Sequence, residues 1–450
     1  MNRFEPTDTA LFIENRKRFS TLLQTNSIAL FNANDVQPSN ADGIRSFIQN
    51  CDLYYLSGIN QEETILVLFP DCKTEEHREI LFLKESNELM ATWEGHKYSQ
   101  QEATATSGIK KIYWLQQFET IFNALTCECE NIYLNSNEHQ RAIVEVETRD
   151  ARFINWCKNR HPLHSYKRSA PLIYSLRGIK STPEIELITK ATKITEDGYR
   201  RVLNFIQPGV KEYEIEAEFV HEFVRQGSRG FAYSPIIGTG INACVLHYID
   251  NNAVCKDGDV ILLDVAAEYG NYNSDITRSF PVNGKFTKRQ KEVYHAVLRA
   301  LRQATKLLTC GNTLTAYNKE VDALMEEELI GLKLLDKNEI KKQDPEKPLY
   351  KKYFMHGTAH HLGLDVHDVG IKQQPLAEGM VFTCEPGIYI REENLGIRLE
   401  NDILITAKGP QVIGNIPIET EEIEDLMARQ QFIKTDTHRL NTRYNIQRTN

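Results

Sequence analysis

The feature that most constrains the fold is a pattern that occurs twice in the longer, C-terminal part of the chain. Each copy has two helical segments with an apolar face, followed by paired strand-like segments. The helical segments cover about residues 184–206, 213–227, 288–308 and 314–334, and the strand-like segments fall within 259–282 and 380–406. This repeated order predicts an internal duplication in which both sheets form one curved antiparallel surface.

The first part of the chain, residues 1–174, has a different pattern. Short apolar runs bounded by turn residues predict buried strands. These runs are 27–34, 52–58, 63–71 and 79–84. Because helical stretches alternate with them, we expect an α/β domain. A Ser/Thr cap and Pro183 then predict a long helix near the start of a second domain, residues 175–430. The polar residues 431–450 are expected to form a tail.

Composition argues against several classes of protein. The 53 Lys and Arg against 62 Asp and Glu give a formal charge of −9, which disfavours nucleic acid or an anionic membrane as partner. No apolar run approaches the ~20 residues needed to span a bilayer, and no apolar signal core is evident at the start. Nine cysteines without a CxxC pair indicate reduced thiols. A cytoplasmic, two-domain protein is therefore expected.

Four carboxylates occupy matching places in the two copies of the repeat. Asp264 ends the apolar run VILLD, and Asp275 opens the next strand-like run, DITRSF. Glu385 follows VFTC, and Glu400 lies in GIRLEND. Any one of these acids, taken alone, is better explained as a member of a surface or interdomain salt bridge. Four negative charges that converge on one place need cations between them. Two divalent metals ~3.5–4 Å apart satisfy that requirement.

The segment between the two acidic pairs holds four histidines, His356, His360, His361 and His367. The first two have HxxxH spacing, but no Glu follows His356, and Gly357 disfavours a regular helix. A zinc-binding helix is therefore excluded. In an extended segment, the adjacent His360 and His361 point to opposite faces, so at most one of them reaches the metals. His361 is the better candidate for packing or partial exposure.

The chain resembles the aminopeptidase P (Xaa-Pro aminopeptidase) family of pita-bread metallopeptidases, with prolidase as the nearest relative. The resemblance rests on HGTAHHLGLDVHDVG, CEPGIYI, GIRLEND and IIGTGINACVLHY, and on YYLSGINQEETILVLFP and ATWEGHKYSQQEA in the first domain. It implies a non-catalytic N-terminal domain followed by a pita-bread catalytic domain. His361, where an aromatic residue is usual, and Asn401, where an acid is common, depart from the family pattern. These departures concern the pocket rim and the preferred peptide length.

The resemblance also implies which residues bind metal. The five ligands would be Asp264, Asp275, His360, Glu385 and Glu400. Asp275 and Glu400 would bridge two metals, and Asp264 would bind one of them. A hydroxide between the metals would be the nucleophile, because bound metal lowers the pKa of water.

Catalytic roles follow from the same resemblance. Glu385 would pass the water proton to the leaving proline nitrogen. His367 would bind the scissile carbonyl oxygen or the oxyanion that forms from it. His247 and His356 would line the substrate cleft, although each taken alone reads equally well as a buried structural histidine. Arg398 stays outside the catalytic set, since it offsets carboxylate charge or holds substrate.

The implied activity is metal-dependent removal of an N-terminal residue from peptides with proline in second position. The oxygen-rich ligand set favours Mn²⁺ over zinc, with two ions per subunit. Peptides are the expected partner, and the resemblance suggests a homodimer or homotetramer. Two alternatives are a prolidase, which cleaves only dipeptides, and a pita-bread binding module without catalysis. The second alternative usually lacks some of the ligands.

Overall fold

The computed structural model describes residues 3–371 and 373–429. Contacts divide them into two compact units, of which the first extends to Gly178 and includes Val369–Ile371. The domain boundary near residue 175 stays a prediction, and the expected tail at 431–450 lies outside the described residues. No helix in the described part of the chain combines the length and the apolar character of a membrane span.

A six-stranded mixed sheet is the centre of the first unit. Its strands are β1 (Ser27–Asn32), β2 (Ile65–Leu68), β3 (Glu79–Leu83), β4 (Lys111–Trp114), β5 (Asn131–Leu134) and β6 (Ser165–Arg168). They lie in the order β4-β3-β2-β1-β5-β6. Only β2 is antiparallel to both of its neighbours, and the other strand pairs are parallel. Parallel neighbours need crossover connections, which agrees with the alternation of strands and helices in the sequence.

The helices described in this unit are α1 (Thr9–Ser20), α2 (Cys51–Ser57), α3 (Glu88–Glu94), α4 (Gln100–Ser107), α5 (Phe118–Thr126), α6 (Arg149–Arg160) and α7 (Ala170–Arg177). Apolar residues of β1, β2 and β3 form one buried cluster with Phe122 of α5 and Cys157 of α6. The α/β prediction for this part of the chain is therefore confirmed.

One strand prediction, for residues 52–58, is wrong, because residues 52–57 belong to helix α2. The Asn50 side chain accepts hydrogen bonds from the backbone N–H groups of Asp52 and Leu53, which caps the first turn. Gly58 ends the helix in the left-handed conformation, with φ of 68°. A short apolar run does not distinguish a buried strand from a buried helix, so the caps decide.

The second unit repeats the order of two helices followed by a sheet. Its helices are α8 (Thr182–Leu203), α9 (Glu212–Arg225), α10 (Lys288–Leu307), α11 (Leu314–Gly331) and the short α12 (Lys337–Ile340). Its strands are β7 (Ile236–Thr239), β8 (Val260–Asp264), β9 (Glu268–Tyr269), β10 (Tyr272–Asn273), β11 (Thr277–Pro281), β12 (Val381–Cys384), β13 (Gly387–Ile390), β14 (Leu395–Arg398), β15 (Asn401–Thr406) and β16 (Gly409–Val412). The four helices predicted for this region, α8 to α11, are confirmed.

The two copies of the pattern form two three-stranded antiparallel sheets. The first has the order β11-β8-β7, and the second has the order β12-β15-β16. A hairpin of β13 and β14 accompanies the second sheet. The copies are joined where the backbone N–H of Glu400 donates to the carbonyl oxygen of Thr277 at 3.0 Å. This junction brings the strand ends that carry the acidic residues of both copies together.

Candidate metal centre

The four predicted carboxylates lie at strand ends of the second unit. Asp264 is the last residue of β8 and lies opposite Thr277 of β11. Asp275 precedes β11, Glu385 follows β12, and Glu400 precedes β15. An antiparallel pair brings the end of one strand beside the start of its partner. The duplicated sheets therefore present acids from both copies at one place.

Three of the predicted ligands form a compact buried cluster. The ligand atoms of Asp275, His360 and Glu400 all lie within 4.8 Å of one another. Nε2 of His360 is 3.4 Å from Oδ2 of Asp275 and 3.7 Å from Oε1 of Glu385. Nδ1 of His360 lies 3.0 Å from the carbonyl oxygen of His361, so Nδ1–H donates there and Nε2 faces the acids.

Asp264, the remaining acid, is held by two side chains that lie beside the cluster. Nη2 of Arg398 lies 2.6 Å from its Oδ2, and the Tyr233 hydroxyl donates to its Oδ1 at 2.6 Å. Burial raises the pKa of Asp264, and the positive charge of Arg398 opposes that shift. This contact supports the first of the two roles considered for Arg398, which is to offset the negative charge of the carboxylates.

The pKa shifts show that the centre has excess negative charge. Burial raises the pKa of Glu400 well above its usual value, and the neighbouring carboxylates raise it further. Burial likewise raises the pKa of Glu385 to about 7. For His360, burial lowers the pKa, but the hydrogen bond to Asp275 and the charge of Glu385 outweigh it and raise the pKa to about 9. A buried group of acids therefore favours any positive charge placed among them.

The chemistry of these side chains fits divalent cations. Four carboxylates and one imidazole nitrogen offer mostly hard oxygen donors, which suit Mn²⁺, Mg²⁺ and similar ions. Because Nδ1–H of His360 donates to a carbonyl oxygen, Nε2 is the nitrogen that would bind a metal in place of its proton, as is usual for histidine ligands. Protons or cations can relieve the repulsion among the acids, and a divalent cation does so without neutralising the ligands.

His356 lies at the edge of the cluster. Its Nδ1 is 2.8 Å from the carbonyl oxygen of Gly357, and its Nε2 is 2.8 Å from the hydroxyl of Tyr389. That hydroxyl accepts a hydrogen bond from Arg398 at 2.9 Å and donates its proton to the histidine. Burial lowers the pKa of His356 to about 4, and the charge of Arg398 lowers it in the same direction. His356 is therefore neutral at neutral pH.

The other three histidines occupy distinct surroundings. The buried His361 packs its ring 4.2 Å from that of Phe382. The expected divergence of His360 and His361 is therefore observed. The ring of His367 lies 4.2 Å from that of His360. His247 lies close to His356, because a positive charge on the His247 ring lowers the pKa of His356.

Sequence reasoning missed three side chains that contact the predicted residues. They are Tyr233, Thr277 and Tyr389. Thr277 donates to Oε2 of Glu400 at 2.6 Å. It stands two positions after Asp275, and Tyr389 stands in the CEPGIYI segment, so both lie in segments already singled out. Tyr233 lies 31 positions before Asp264 and has no local signal.

Comparisons with known proteins agree with this geometry. Residues 186–407 match the metallopeptidase family M24, and residues 12–133 match the aminopeptidase P N-terminal domain. A Haemophilus influenzae relative named Xaa-Pro aminopeptidase is 34% identical over 433 residues, which cover 92% of this chain and 96% of the relative.

Solved structures extend the likeness to three dimensions. An Escherichia coli aminopeptidase P variant in complex with substrate is 31% identical, with a TM-score of 0.85 over 95% of this chain and all of the other. A zinc-substituted form of the same enzyme in complex with product is 32% identical, with a TM-score of 0.84 over 95% and 99% of the two chains. With this likeness over almost its whole length and a carboxylate–histidine centre in its second unit, the chain belongs to the aminopeptidase P family of M24 metallopeptidases, which are metal-dependent hydrolases.

Proposed function

We propose that the protein removes the N-terminal residue from peptides whose second residue is proline. The observation that carries this proposal is the convergence of Asp275, His360 and Glu400, with Asp264 and Glu385 beside them. The activity named for the Haemophilus influenzae relative supports the same reaction. Hydrolysis of a peptide bond to proline needs strong activation of water and of the carbonyl group, which a divalent metal centre supplies.

We infer that two divalent cations bind per subunit. The side chains that would hold them are Asp264, Asp275, His360, Glu385 and Glu400. Mn²⁺ is the proposed ion, since oxygen donors outnumber the single imidazole. When bound, such ions lower the pKa of a water molecule and polarise the scissile carbonyl.

Glu385 is proposed to move the proton during hydrolysis. A carboxylate at this position is suited to act first as a general base and then as an acid, because it lies beside the group that would activate the water. Its Oε1 lies 3.7 Å from Nε2 of His360, and its Oε2 lies 3.9 Å from Nδ1 of His356. In this role the carboxylate accepts a proton from the attacking water and delivers it to the proline nitrogen.

Three histidines are proposed to contact the substrate. His367 donates a hydrogen bond to the scissile carbonyl oxygen and to the oxyanion that forms from it. His356, neutral and oriented by Tyr389, lines the cleft together with His247. This arrangement places imidazole side chains, which donate and accept hydrogen bonds, where the peptide backbone is proposed to bind.

The remaining proposals concern the molecule and its surroundings. Residues 1–174 are proposed as a non-catalytic N-terminal domain, and 175–430 as the catalytic domain. Nine free cysteines support a reducing compartment such as the cytoplasm. Family resemblance supports a homodimer or homotetramer.

A peptide panel tests the proposed function. With Mn²⁺ added, tripeptides and longer peptides with proline second should release their first residue. Matched peptides with alanine second should be cleaved far more slowly. If only Xaa-Pro dipeptides turn over, the activity is that of a prolidase. If nothing is cleaved while two metals are bound, the proposed function is wrong.

A further inference from the structure

A buried ion pair outside the candidate metal centre joins Lys180 to Asp368. Nζ of Lys180 lies 2.8 Å from Oδ2 of Asp368, and both side chains are only 1% exposed. Removing two charges from water costs several kcal/mol per ion, and apolar residues of similar volume often stabilise a fold equally well. Such a pair is therefore expected to fix the positions of the two segments that it joins.

The Lys180 end of the pair is attached to the framework of the second unit. The backbone N–H of Lys180 donates to the carbonyl oxygen of Gly379 at 2.8 Å. Helix α8 begins two residues later, and its Tyr199 hydroxyl lies 2.8 Å from the carbonyl oxygens of both Leu263 and Ile276. These carbonyl groups belong to the residues next to Asp264 and Asp275. The helix that follows Lys180 thus contacts the backbone of the acid-bearing strands.

The Asp368 end is attached to the segment that carries His367. Asp368 directly follows His367, and its backbone N–H donates to the carbonyl oxygen of His361 at 2.8 Å, which closes a loop of chain. Within that loop, the Asn273 side chain donates to the carbonyl oxygen of Gly363 at 3.1 Å. The loop is therefore attached at several points, and both the ion pair and this backbone bond involve Asp368, the residue next to His367.

Gly363 shows how closely the ion pair packs against this loop. A Cβ atom at this position would lie 2.1 Å from Oδ2 of Asp368 and 3.0 Å from Nζ of Lys180. The first distance is shorter than real Cβ contacts and the second is tighter than most of them, so a larger residue would displace the charged groups. The loop backbone and the ion pair consequently hold each other in one arrangement.

We propose that Lys180 is a positioning residue for His367. By holding Asp368, it keeps the His367 ring in place beside that of His360, 4.2 Å away. The inference rests on the proposed function, in which His367 binds the scissile carbonyl oxygen. Removal of Lys180 takes away the ammonium group that lies 2.8 Å from the buried Asp368 carboxylate, so we expect this part of the loop to rearrange. The position of His367 then changes while the metal ligands keep theirs.

A double-mutant cycle of Lys180→Met and His367→Ala tests this proposal, with kcat, KM and metal content measured on an Xaa-Pro-Yaa tripeptide. Lys180→Met should lower kcat about ten-fold or more, because small displacements of a catalytic group are costly. KM and metal content should change little. In the His367→Ala background, the same substitution should change kcat by less than about two-fold. Equal fold-changes in both backgrounds would overturn the proposal.

Two further variants separate positioning from stability. Lys180→Met combined with Asp368→Leu removes both charges and should recover thermal stability, yet kcat should stay low. Recovery of kcat together with stability would contradict a positioning role. Glu184→Gln is the matched control, because its buried carboxyl lies near Lys180 but accepts hydrogen bonds from Tyr272 at 3.0 Å and from Ser181 at 2.8 Å, and the Gln oxygen can still accept such bonds. Its kcat should stay within about two-fold of wild type, and a drop as large as that of Lys180→Met would overturn the assignment.

A readout independent of turnover is the ¹H–¹⁵N signal of the His367 ring. Lys180→Met should shift this signal, and Glu184→Gln should leave it in place. An unmoved signal in Lys180→Met overturns the inference even if the wild-type enzyme cleaves the tripeptide. Failure of the wild-type enzyme to cleave any peptide with proline second would instead overturn the proposed function.

Discussion

At the scale of single residues, the neighbours His360 and His361 have opposite surroundings. One ring faces Asp275 and Glu385, and the other packs on Phe382. The extended backbone accounts for the divergence, because successive side chains alternate between faces. Backbone bonds to β12 before and after His361 hold the segment extended. The N–H of Thr383 donates to the carbonyl oxygen of His360 at 3.0 Å, and the N–H of Leu362 donates to that of Val381 at 3.1 Å.

Replacement of each histidine by alanine should separate their roles. His360→Ala should weaken binding of one metal and lower kcat severely, because an imidazole ligand is lost. His361→Ala should keep two metals and change mainly KM, since its ring packs on Phe382 and is not among the proposed ligands. Metal content by elemental analysis, measured alongside kcat, checks both expectations. Metal loss in His361→Ala with full occupancy in His360→Ala would reverse the ligand assignment.

Thr277 offers a test of the groups that orient the ligands. Thr277→Val removes the donor to Oε2 of Glu400 with little change in shape. Loss of an orienting hydrogen bond should weaken metal affinity about ten-fold or more, as measured by metal titration. Thr239→Val is the matched control, because this buried strand hydroxyl contacts Asp259 outside the centre. Equal metal affinity in the two variants would exclude the orienting role.

At the scale of elements, helix ends explain which predictions succeeded. The Ser181 and Glu184 side chains form a capping box with Pro183 in the first turn, and α8 begins where this pattern predicts. The caps of α2 are equally clear in the structure, but its seven residues are too few to show a helical period. Apolar content alone therefore led to a strand prediction there.

The contact of α8 with the sheet predicts a stability effect. Tyr199→Phe removes one hydroxyl whose proton is shared by the carbonyl oxygens of Leu263 and Ile276. The free energy of unfolding should fall by about 1 kcal/mol, the usual net value of a buried hydrogen bond. Urea denaturation measures the change. Tyr213→Phe on the exposed face of α9 is the control and should stay within ~0.5 kcal/mol of wild type.

Helix α6 predicts a dependence of stability on pH. Burial raises the pKa of Asp150, in its first turn, to about 7. A carboxyl whose pKa is higher in the folded than in the unfolded state stabilises the fold at low pH, and that stability is lost as pH rises through about 7. Relative to wild type, Asp150→Asn should therefore gain up to ~1.4 kcal/mol per pH unit between about pH 5 and 7.

Urea denaturation at these two pH values measures the Asp150 effect. The exposed Asp42→Asn is the control and should follow the wild-type pH dependence. If the stability of Asp150→Asn depends on pH as that of wild type does, Asp150 is charged in the folded protein. Its buried charge must then be stabilised by more than the Asn32 hydrogen bond at 3.0 Å.

At the scale of the whole molecule, metal binding and stability should be linked. Ions that bind only the folded second unit stabilise it by mass action, by ~2.7 kcal/mol at one hundred times the dissociation constant. Mn²⁺ should therefore raise the Tm of the unit that holds the centre, and a chelator should reverse the shift. Differential scanning calorimetry measures it. If Mn²⁺ raises the Tm of wild type and of His360→Ala equally, the stabilising ions bind outside the candidate metal centre.

The sequence by itself determined the elements and the chemistry of the site. Apolar periodicity and end signals located α8 to α11, and the duplicated pattern predicted two related sheets. Asp264 and Asp275 stood out because a charged residue beside a buried strand needs compensation. These features depend on residues a few positions apart, so local rules of helix and strand geometry are enough to find them.

Only the tertiary structure decided which groups compensate those charges. Arg398 contacts Asp264 across 134 positions of chain, and Lys180 contacts Asp368 across 188. Tyr233 likewise reaches Asp264 with no signal in its own segment. Nothing in local periodicity links such positions, because their proximity follows from how the two sheets and α8 pack. The low dielectric of that packed interior makes each pairing strong and each loss costly, which is why the fold determines the electrostatics of the centre.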